Sequence, residues 1–229
     1  MSTLLIRLAG PMQSWGGDSK FDIRDTGREP TKSGVIGLLA AALGIRRDDK
    51  ESLSELAKLK YGVRADREGL VICDFHTVHG AKNSYVTRRY YLNDALFLAG
   101  LECEDEETLK KYEYALKHPV YPLFLGRRSC PVTLPLVVGI RKSSLSDALE
   151  NEPVLCDDPV LPLRIVADGD NEGSYMLKKD VPVSFSSYRR EFKYRKLYER
   201  FIKVNTVKET EHDPFSELEA NDVSDANEA

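Results

Sequence analysis

Apolar residues are concentrated at the start of the chain and then almost disappear. Residues 4–9 read Leu-Leu-Ile-Arg-Leu-Ala. A short apolar run of this kind, ended by Gly10-Pro11, predicts a first, central strand. Residues 12–29 are polar and carry few apolar side chains. We therefore predict a long ordered loop there, a type of segment that often carries function.

Dense apolar positions return between Thr31 and Gly44 and predict a helix that is buried on most sides. Thr31 or Ser33 is the expected N-cap, and Gly44 is the expected end of the helix. Gly34 and Gly37 each weaken such a helix by up to about 1 kcal/mol relative to alanine. Their presence indicates that another part of the protein approaches the first turn closely.

The pattern of residues 45–118 predicts a helix, two strands that continue into a hairpin, a further strand and a second amphipathic helix. The predicted elements cover residues 51–60, 61–66, 70–78, 85–92, 95–101 and 104–117. Together with the first strand and helix, their order is close to a ferredoxin-like β-α-β-β-α-β domain. The fold class is therefore α+β, and the open sheet of this fold is a common platform for single-stranded RNA.

The second half of the chain has a different texture. Short strands are predicted at residues 134–141, 161–166 and 181–186, and residues 193–204 fit either a helix or a strand, of which we favour the strand. We expect a ferredoxin-like domain over residues 1–118 with a hairpin thumb at about 79–91, a smaller β-rich appendage over 119–204, and an acidic tail over 205–229. The tail lacks a core-forming pattern, which predicts disorder.

Composition fits an ordinary soluble protein, with 41% hydrophobic and 31% charged residues among 229. The longest apolar stretch, residues 35–43, is much shorter than the roughly 20 residues of a membrane span. Four widely spaced cysteines without a C-x-x-C motif indicate a reducing cytoplasm rather than a disulfide framework. The sequence thus excludes a transmembrane helix and predicts a cytoplasmic protein.

The net charge of −4 hides two regions of opposite sign. Residues 205–229 contain eight carboxylates and one lysine, so the rest of the chain carries a charge of +3. Within that rest, residues 187–203 hold seven basic side chains interleaved with five aromatic ones. Such interleaving is compatible with contacts to nucleic-acid phosphates or a neighbouring subunit, or with a solvated charged strand.

Several other positions combine cations, aromatic rings and free backbone N–H groups. The Gly126-Arg127-Arg128-Ser129 loop suits phosphate binding, although a plain surface turn explains the same four residues. The Thr31-Lys32-Ser33 helix start is either an anion site or ordinary capping. Arginines and tyrosines at residues 88–91 sit at the base of the hairpin, where one tyrosine belongs to the core. Trp15 either stacks on a base or anchors its loop.

Six segments together carry a specific resemblance. They are residues 8–16 (Leu-Ala-Gly-Pro-Met-Gln-Ser-Trp-Gly), Phe21 with Arg24, 30–44, 74–77 (Asp-Phe-His-Thr), 89–95 and 125–131 (Leu-Gly-Arg-Arg-Ser-Cys-Pro). In this order they resemble the CasD family, the RAMP-type subunits of the type I-E CRISPR surveillance complex Cascade. The resemblance covers about residues 4–150.

The resemblance implies a ferredoxin-like RAMP domain and a non-catalytic role in antiviral defence. Its members hold the 5′ handle of the guide RNA (crRNA) beside the last backbone subunit and the large subunit, without a cofactor, a metal, a membrane or a small-molecule substrate. The RNA-binding residues it implies, together with the positions above, are Gln13, Ser14, Trp15, Arg24, Thr31, Lys32, Ser33, Arg88, Arg89, Tyr91, Gly126, Arg127, Arg128, Ser129, Arg189 and Arg190.

Histidines and a cysteine near the hairpin raise two other chemistries, a zinc site and RNA cleavage. Cys73, His76 and His79 would align on a helix, but on a strand His76 points away from the other two, which disfavours a zinc site. Relatives in the type I-C subtype cut precursor RNA without metal. His76, His79, Lys82 and Tyr85 could supply acid–base groups for that reaction, so a metal-independent endoribonuclease is the alternative function. A pure protein-interaction subunit is a third possibility.

Overall fold

The computed structural model describes residues 1–16, 22–79, 83–157, 159, 161–169, 174–186 and 188–203. Most of its strands form one seven-stranded sheet. These strands are β1 (Ser2–Ala9), β4 (Lys60–Arg67), β7 (Leu96–Cys103), β8 (Val137–Arg141), β9 (Leu163–Ala167), β10 (Met176–Phe185) and β11 (Arg190–Ile202). Their order across the sheet is β10-β11-β9-β4-β7-β1-β8, and every neighbouring pair is antiparallel.

Helices cover both faces of this sheet. They are α1 (Lys32–Leu43), α2 (Lys50–Ala57), α3 (Glu106–Lys117) and α4 (Leu145–Asn151). Alternate residues of β1 separate the two cores, since Leu4 and Ile6 pack with the first three helices while Leu5 packs with α4. Because successive side chains of a strand point to opposite faces, the strand contributes side chains to both apolar layers.

The ferredoxin-like expectation is confirmed. Strands β4, β7, β1 and β8 lie side by side, and α1 and α3 connect them in the order β-α-β-β-α-β. Beyond β4 the same sheet continues through β9, β11 and β10. The large sheet therefore crosses the expected boundary after residue 118, because β8, the fourth ferredoxin-like strand, and β9, which extends the sheet beyond β4, both follow that residue.

Details of the first helix follow the sequence closely. Thr31 is the N-cap of α1 and its side chain accepts a hydrogen bond from the Gly34 N–H, while Gly44 ends the helix with φ +75°. The close approach inferred at Gly34 is made by Trp15, whose ring atoms would lie 2.8 Å from a Cβ at this position. Packing of Trp15 on the helix thus explains why a helix-weakening residue stands there.

A second, smaller sheet holds the hairpin. It contains β2 (Met12–Gln13), β3 (Ile23–Arg24), β5 (Leu70–His79) and β6 (Ser84–Asn93). Strands β5 and β6 pair continuously from Leu70↔Asn93 to His79↔Ser84. The hairpin is thus longer than the predicted thumb at 79–91, whose residues 80–82 lie outside the described part. The predicted loop over 12–29 supplies β2 and β3, and both pair with β6.

Other expectations had mixed outcomes. The ambiguous segment 193–204 is a strand as favoured, since β11 spans Arg190–Ile202. Helix α4 was not predicted, because seven residues give too little periodicity to distinguish a helix from a loop. The acidic tail lies outside the described residues. None of the helices that the structure describes is long and apolar enough to cross a membrane.

A buried ion cluster fastens β10 and β11 to the start of α1. Arg195 pairs with Asp180 (Nε to Oδ1, 2.6 Å) and with Asp168 (Nη1 to Oδ1, 2.5 Å), and Lys32 Nζ lies 3.0 Å from Asp168 Oδ2. Burial disfavours the charge on Arg195, but the two aspartates outweigh burial and raise the pKa of Arg195. The Lys32 backbone N–H also donates to Asp180. These contacts set the position of the β10–β11 ribbon.

A second ion cluster surrounds Arg164, which is only 5% exposed. Arg164 contacts Glu29 (3.0 Å), Glu68 (2.5 Å) and Glu199 (3.4 Å), and Lys178 pairs with Glu29 from the other side. Burial of Glu29 acts to raise its pKa, but Lys178 and Arg164 outweigh burial and hold the pKa below its ordinary value of 4.5.

This arrangement predicts a loss of stability in acid. A carboxyl whose pKa is lowered by folding stabilises the protein above its unfolded pKa and loses that contribution as the pH falls through the folded value. We expect Glu29→Gln to be less stable than wild type at about pH 6, with the difference shrinking toward about pH 3. Urea unfolding at each pH measures it, with the exposed Glu55→Gln as control. A difference that is constant with pH would contradict the prediction.

Candidate nucleic-acid interface

Five arginines lie on the smaller sheet or in the loop against it, and we call them the arginine surface: Arg24, Arg88, Arg89, Arg127 and Arg128. Arg88 and Arg89 are consecutive on β6, so Arg88 points to the opposite face of the sheet from Arg89 and Arg24. Strand β3 pairs in parallel with β6, which sets Ile23 opposite Arg88 and Arg24 opposite Arg89. The backbone N–H of Arg88 also donates to the backbone carbonyl of Asp22 (2.8 Å). The short strand β3 therefore places Arg24 of the predicted loop beside Arg89 of the hairpin.

The loop at residues 126–129 closes onto this sheet. Gly126 has φ +87°, and a Cβ there would lie 1.8 Å from Ser14 O. Only glycine permits this approach, because any side chain would displace the backbone. The Leu125 N–H donates to Cys130 O (2.7 Å) and the Ser14 N–H to Leu125 O (3.0 Å). The loop is thus fixed on both sides by backbone hydrogen bonds.

Arg127 links the loop to both β3 and β6. Its guanidinium donates to Tyr90 O (3.2 Å), Arg24 O (2.7 Å) and Asp25 O (3.2 Å). The same group stacks 4.8 Å over the ring of Tyr91, which is buried. Arg127 therefore positions the surface, and its next residue, Arg128, is exposed without such contacts.

The arginine surface is electrostatically unbalanced. Among the described carboxylates, none forms an ion pair with any of its five members. Arg89 Nε is buried and has no hydrogen-bond partner. The guanidinium of Arg88 lies 5.9 Å over the exposed ring of Phe75. The surface thus carries positive charge that no described carboxylate neutralises, which suits an anion.

Guanidinium groups in this density favour phosphate oxygens, which they bind with two parallel hydrogen bonds. The exposed ring of Phe75, 63% accessible beside Arg88, offers a stacking face for a base. Cations beside aromatic rings are the usual composition of a single-stranded nucleic-acid site.

Comparisons with known proteins relate the chain to CRISPR-associated proteins. A family model described as CRISPR-associated protein (Cas_Cas5) matches residues 3–198. The chain belongs to this Cas5 family. The Cascade subunit CasD of Escherichia coli (strain K12) is similar, with 42% identity over 163 residues that cover 62% of this chain and 73% of that protein.

Two solved structures resemble this Cas5 chain across most of its length. The crystal structure of a Cas protein is 42% identical with a TM-score of 0.72, and the match covers 90% of this chain and 97% of that one. A chain of a CRISPR RNA-guided surveillance complex is 33% identical with a TM-score of 0.73, covering 88% and 90%.

Three predicted site residues of the Cas5 chain turn inward. Gln13 is fully buried and its side-chain amide donates to Leu8 O and Ala95 O, while its oxygen accepts from the Trp15 indole N–H (3.0 Å). Ser14 donates to Tyr90 O. Trp15 is 1% exposed. In this conformation Trp15 anchors its loop, and its ring faces are not open to a base.

The start of α1 is already occupied by the protein's own groups. Lys32 is 6% exposed and pairs with Asp168, and its backbone N–H donates to Asp180. Thr31 is buried and caps the helix, and Ser33 is partly buried at hydrogen-bond distance from it (3.4 Å). The expected anion at this helix start is thus an aspartate, and we omit these three residues from the proposed interface.

Some basic residues of the stretch 187–203 form ion pairs with carboxylates and others do not. Arg195 is buried in its ion cluster, Arg200 pairs with Glu150, and the predicted ligand Arg189 pairs with Glu191 (2.7 Å). Arg190 is exposed at the start of β11. No described contact joins Arg189 or Arg190 to the arginine surface.

The described residues of the nuclease alternative do not all lie on one face of the hairpin. Tyr85 lies opposite Val78 and so shares the face of His76. On β5, His76 and His79 point to opposite faces of the strand because they are three residues apart. His76 contacts Asp74, His79 Nδ1 lies 2.8 Å from Ser84 Oγ, and Lys82 lies outside the described residues. No group of three His, Cys, Asp or Glu that could hold a metal occurs in the described ranges.

The sequence reasoning missed Phe75 as a site residue. The available signal was an aromatic residue in the segment Asp74-Phe-His-Thr77, on a predicted strand that pairs with the strand of Arg88 and Arg89. The register of β5 and β6 places Phe75 directly opposite Arg88.

Proposed function

We propose that this Cas5 protein is a guide-RNA-binding subunit of a CRISPR surveillance complex in the cytoplasm, and that it holds the 5′ handle of the crRNA. The observation that carries the proposal is the arginine surface, whose members form no ion pair with any of the described carboxylates. Its position on a sheet of a chain similar to the Cascade subunit CasD supports the same role.

Binding would use two kinds of contact. Arg24, Arg89 and Arg128 would neutralise phosphates, while Arg88 and Phe75, on the other face of the hairpin, would hold an unstacked base. Arg127, Tyr91 and Gly126 would fix the geometry of the loop, with Ser129 exposed beside them as a further hydrogen-bonding group. The expected partners are the crRNA, the last backbone subunit and the large subunit, and this mode of binding uses no cofactor.

We propose a non-catalytic role for the subunit. General acid–base cleavage of RNA needs two groups within hydrogen-bond reach of the same 2′-hydroxyl and leaving oxygen. Because His76 and His79 face opposite sides of the hairpin, they do not form such a pair. The open arginine surface instead suits a ligand that stays bound.

The test is the RNA that copurifies with the assembled complex. We expect its 5′ ends, once sequenced, to begin with one short constant sequence followed by variable guides. That constant handle should lose protection from nuclease in the Arg24→Ala/Arg89→Ala/Arg128→Ala variant. Heterogeneous 5′ ends would contradict the proposal. Cleavage of repeat RNA by the purified chain in EDTA, lost in His76→Ala, would support the nuclease instead.

A further inference from the structure

A second candidate surface lies on the outer face of the β10–β11 ribbon, at one edge of the large sheet. The antiparallel register pairs Leu177 with Lys196 and Lys179 with Tyr194, so these four side chains share one face. Tyr175 joins them, since its ring lies 4.6 Å from Lys196 Nζ. We call these five residues the tyrosine–lysine face.

The tyrosine–lysine face is open, in contrast to the opposite face of the same ribbon. Tyr194 is 64% exposed, Leu177 62% and Tyr175 47%. On the other face Arg195 is fixed in its ion cluster and Leu197 is 3% exposed within the core. Burial of one side therefore holds the ribbon rigid while the other side presents aromatic rings to solvent.

The cations of the ribbon differ in the same way. On the inner side Lys178 pairs with Glu29 and Arg195 with Asp180. On the outer side Lys196 lies over Tyr175, and Lys179 Nζ lies 5.7 Å from the ring of Tyr194. In the part of the chain that the structure describes, Lys179 and Lys196 form no ion pair with a carboxylate. The outer lysines are thus held beside aromatic rings rather than neutralised.

We propose that the tyrosine–lysine face binds single-stranded nucleic acid without sequence preference. Exposed tyrosines offer stacking faces to any base, and the adjacent lysines are free to neutralise phosphates. An acidic peptide, including the chain's own residues 205–229 with their eight carboxylates, would complement the lysines but would leave the ring faces unused. The combination therefore favours a ligand that has both flat bases and phosphates.

No hydrogen bond, ion pair or ring contact between described residues joins the tyrosine–lysine face to the arginine surface. The inference does not depend on the crRNA handle being the ligand of the arginine surface, and each site has its own test.

The experiment is photocrosslinking of the full-length chain to 15-nucleotide oligo(U) and oligo(dT), each carrying 5-iodouracil, followed by mass spectrometry of the crosslinked peptides. We expect adducts on Tyr175 or Tyr194, and we expect them to persist in Arg24→Ala/Arg89→Ala/Arg128→Ala. Adducts with only one oligonucleotide would assign the site to RNA or to DNA. Adducts confined to residues of the arginine surface would overturn the proposal.

Oligonucleotide affinity, measured in the Arg24→Ala/Arg89→Ala/Arg128→Ala protein, is an independent measure of the same site. Fluorescence anisotropy should show that Tyr175→Leu/Tyr194→Leu weakens oligonucleotide binding by at least about 5-fold, the smallest effect expected for one lost stacked base. The control is Tyr114→Leu, because Tyr114 is 66% exposed on α3 and lies outside the face. Equal oligonucleotide affinities with and without Tyr175→Leu/Tyr194→Leu in this protein would overturn the proposal. Handle binding that stays intact in the double variant keeps this result distinct from a failure of the proposed function.

The lysines give a further readout. Lys179→Gln/Lys196→Gln should flatten the plot of log K against log salt by about 1.4, since each phosphate contact to a single strand contributes about 0.7. Two results together would show that the lysines do not contact phosphate. The first is an unchanged salt slope, and the second is oligonucleotide crosslinking that an added peptide of residues 205–229 does not reduce.

Discussion

Replacing Arg24, Arg89 and Arg128 together by alanine should flatten the salt dependence of guide-RNA binding by about 2 in log K against log salt. Each phosphate contact to a single strand contributes about 0.7 to this slope, and the three arginines have no described carboxylate partner that would already neutralise them. Filter binding of a handle-containing RNA over a series of salt concentrations measures the slope. Affinity at low salt should fall most.

Arg127 is left out of this variant because it has a structural task. Its guanidinium holds the backbone carbonyls of Arg24, Asp25 and Tyr90, so Arg127→Ala would also displace β3. A loss of affinity in that variant would mix lost phosphate contacts with lost geometry. Restricting the change to three residues whose guanidiniums hold no described carbonyl keeps the interpretation electrostatic.

A matched control removes three exposed cations elsewhere. Arg47, Lys50 and Lys111 lie on or near helices α2 and α3 and are exposed. Arg47→Ala/Lys50→Ala/Lys111→Ala changes the net charge by the same amount but should leave the salt slope unchanged. If the control flattens the slope as much as the test variant, RNA binding depends on total charge, and the assignment of the arginine surface is wrong.

Local signals in the sequence were enough to define the first helix and the ferredoxin-like order of elements. Capping at Thr31 and the end at Gly44 are confirmed, because each depends on a few neighbouring residues. The close approach predicted at Gly34 is also confirmed, although its partner, Trp15, belongs to the preceding loop. The alternation of apolar residues in the strands likewise fixes which side of the sheet each side chain joins. These features require no knowledge of distant segments.

Long-range pairing was the part that the sequence did not reveal. The sequence predicts Lys32 as an RNA ligand at a helix start, but Asp168 and Asp180, more than 130 residues away, occupy that position. Arg24 meets Arg89 only because two residues of a polar loop form the parallel strand β3. Such contacts depend on tertiary packing, which overrides the local pattern of charge and hydropathy.

The same limit applies to Arg64, which the strand pattern gave no reason to single out. It lies on β4, between β9 and β7 in the large sheet, and both Arg64 and Asp66 are fully buried. The two side chains form a double hydrogen bond of 2.6 and 2.9 Å. Arg64 also donates to the carbonyls of Leu149 (2.7 Å) and Glu152 (2.6 Å) at the end of α4. Those carbonyls have no other partner within the helix.

We expect Arg64→Leu to lower the free energy of unfolding by about 3–5 kcal/mol, the usual effect of removing one partner of a buried ion pair. The change leaves the Asp66 carboxylate buried without its cation and the end of α4 without its donor. Urea denaturation followed by far-ultraviolet circular dichroism measures it.

Arg67→Leu is the matched control on the same strand, since Arg67 pairs with the exposed Asp94 at the surface and should contribute at most about 1 kcal/mol. Arg64→Leu/Asp66→Leu should recover part of the loss, because the uncompensated charge is then gone. Equal effects of Arg64→Leu and Arg67→Leu would show that the buried pair does not hold α4 against the sheet.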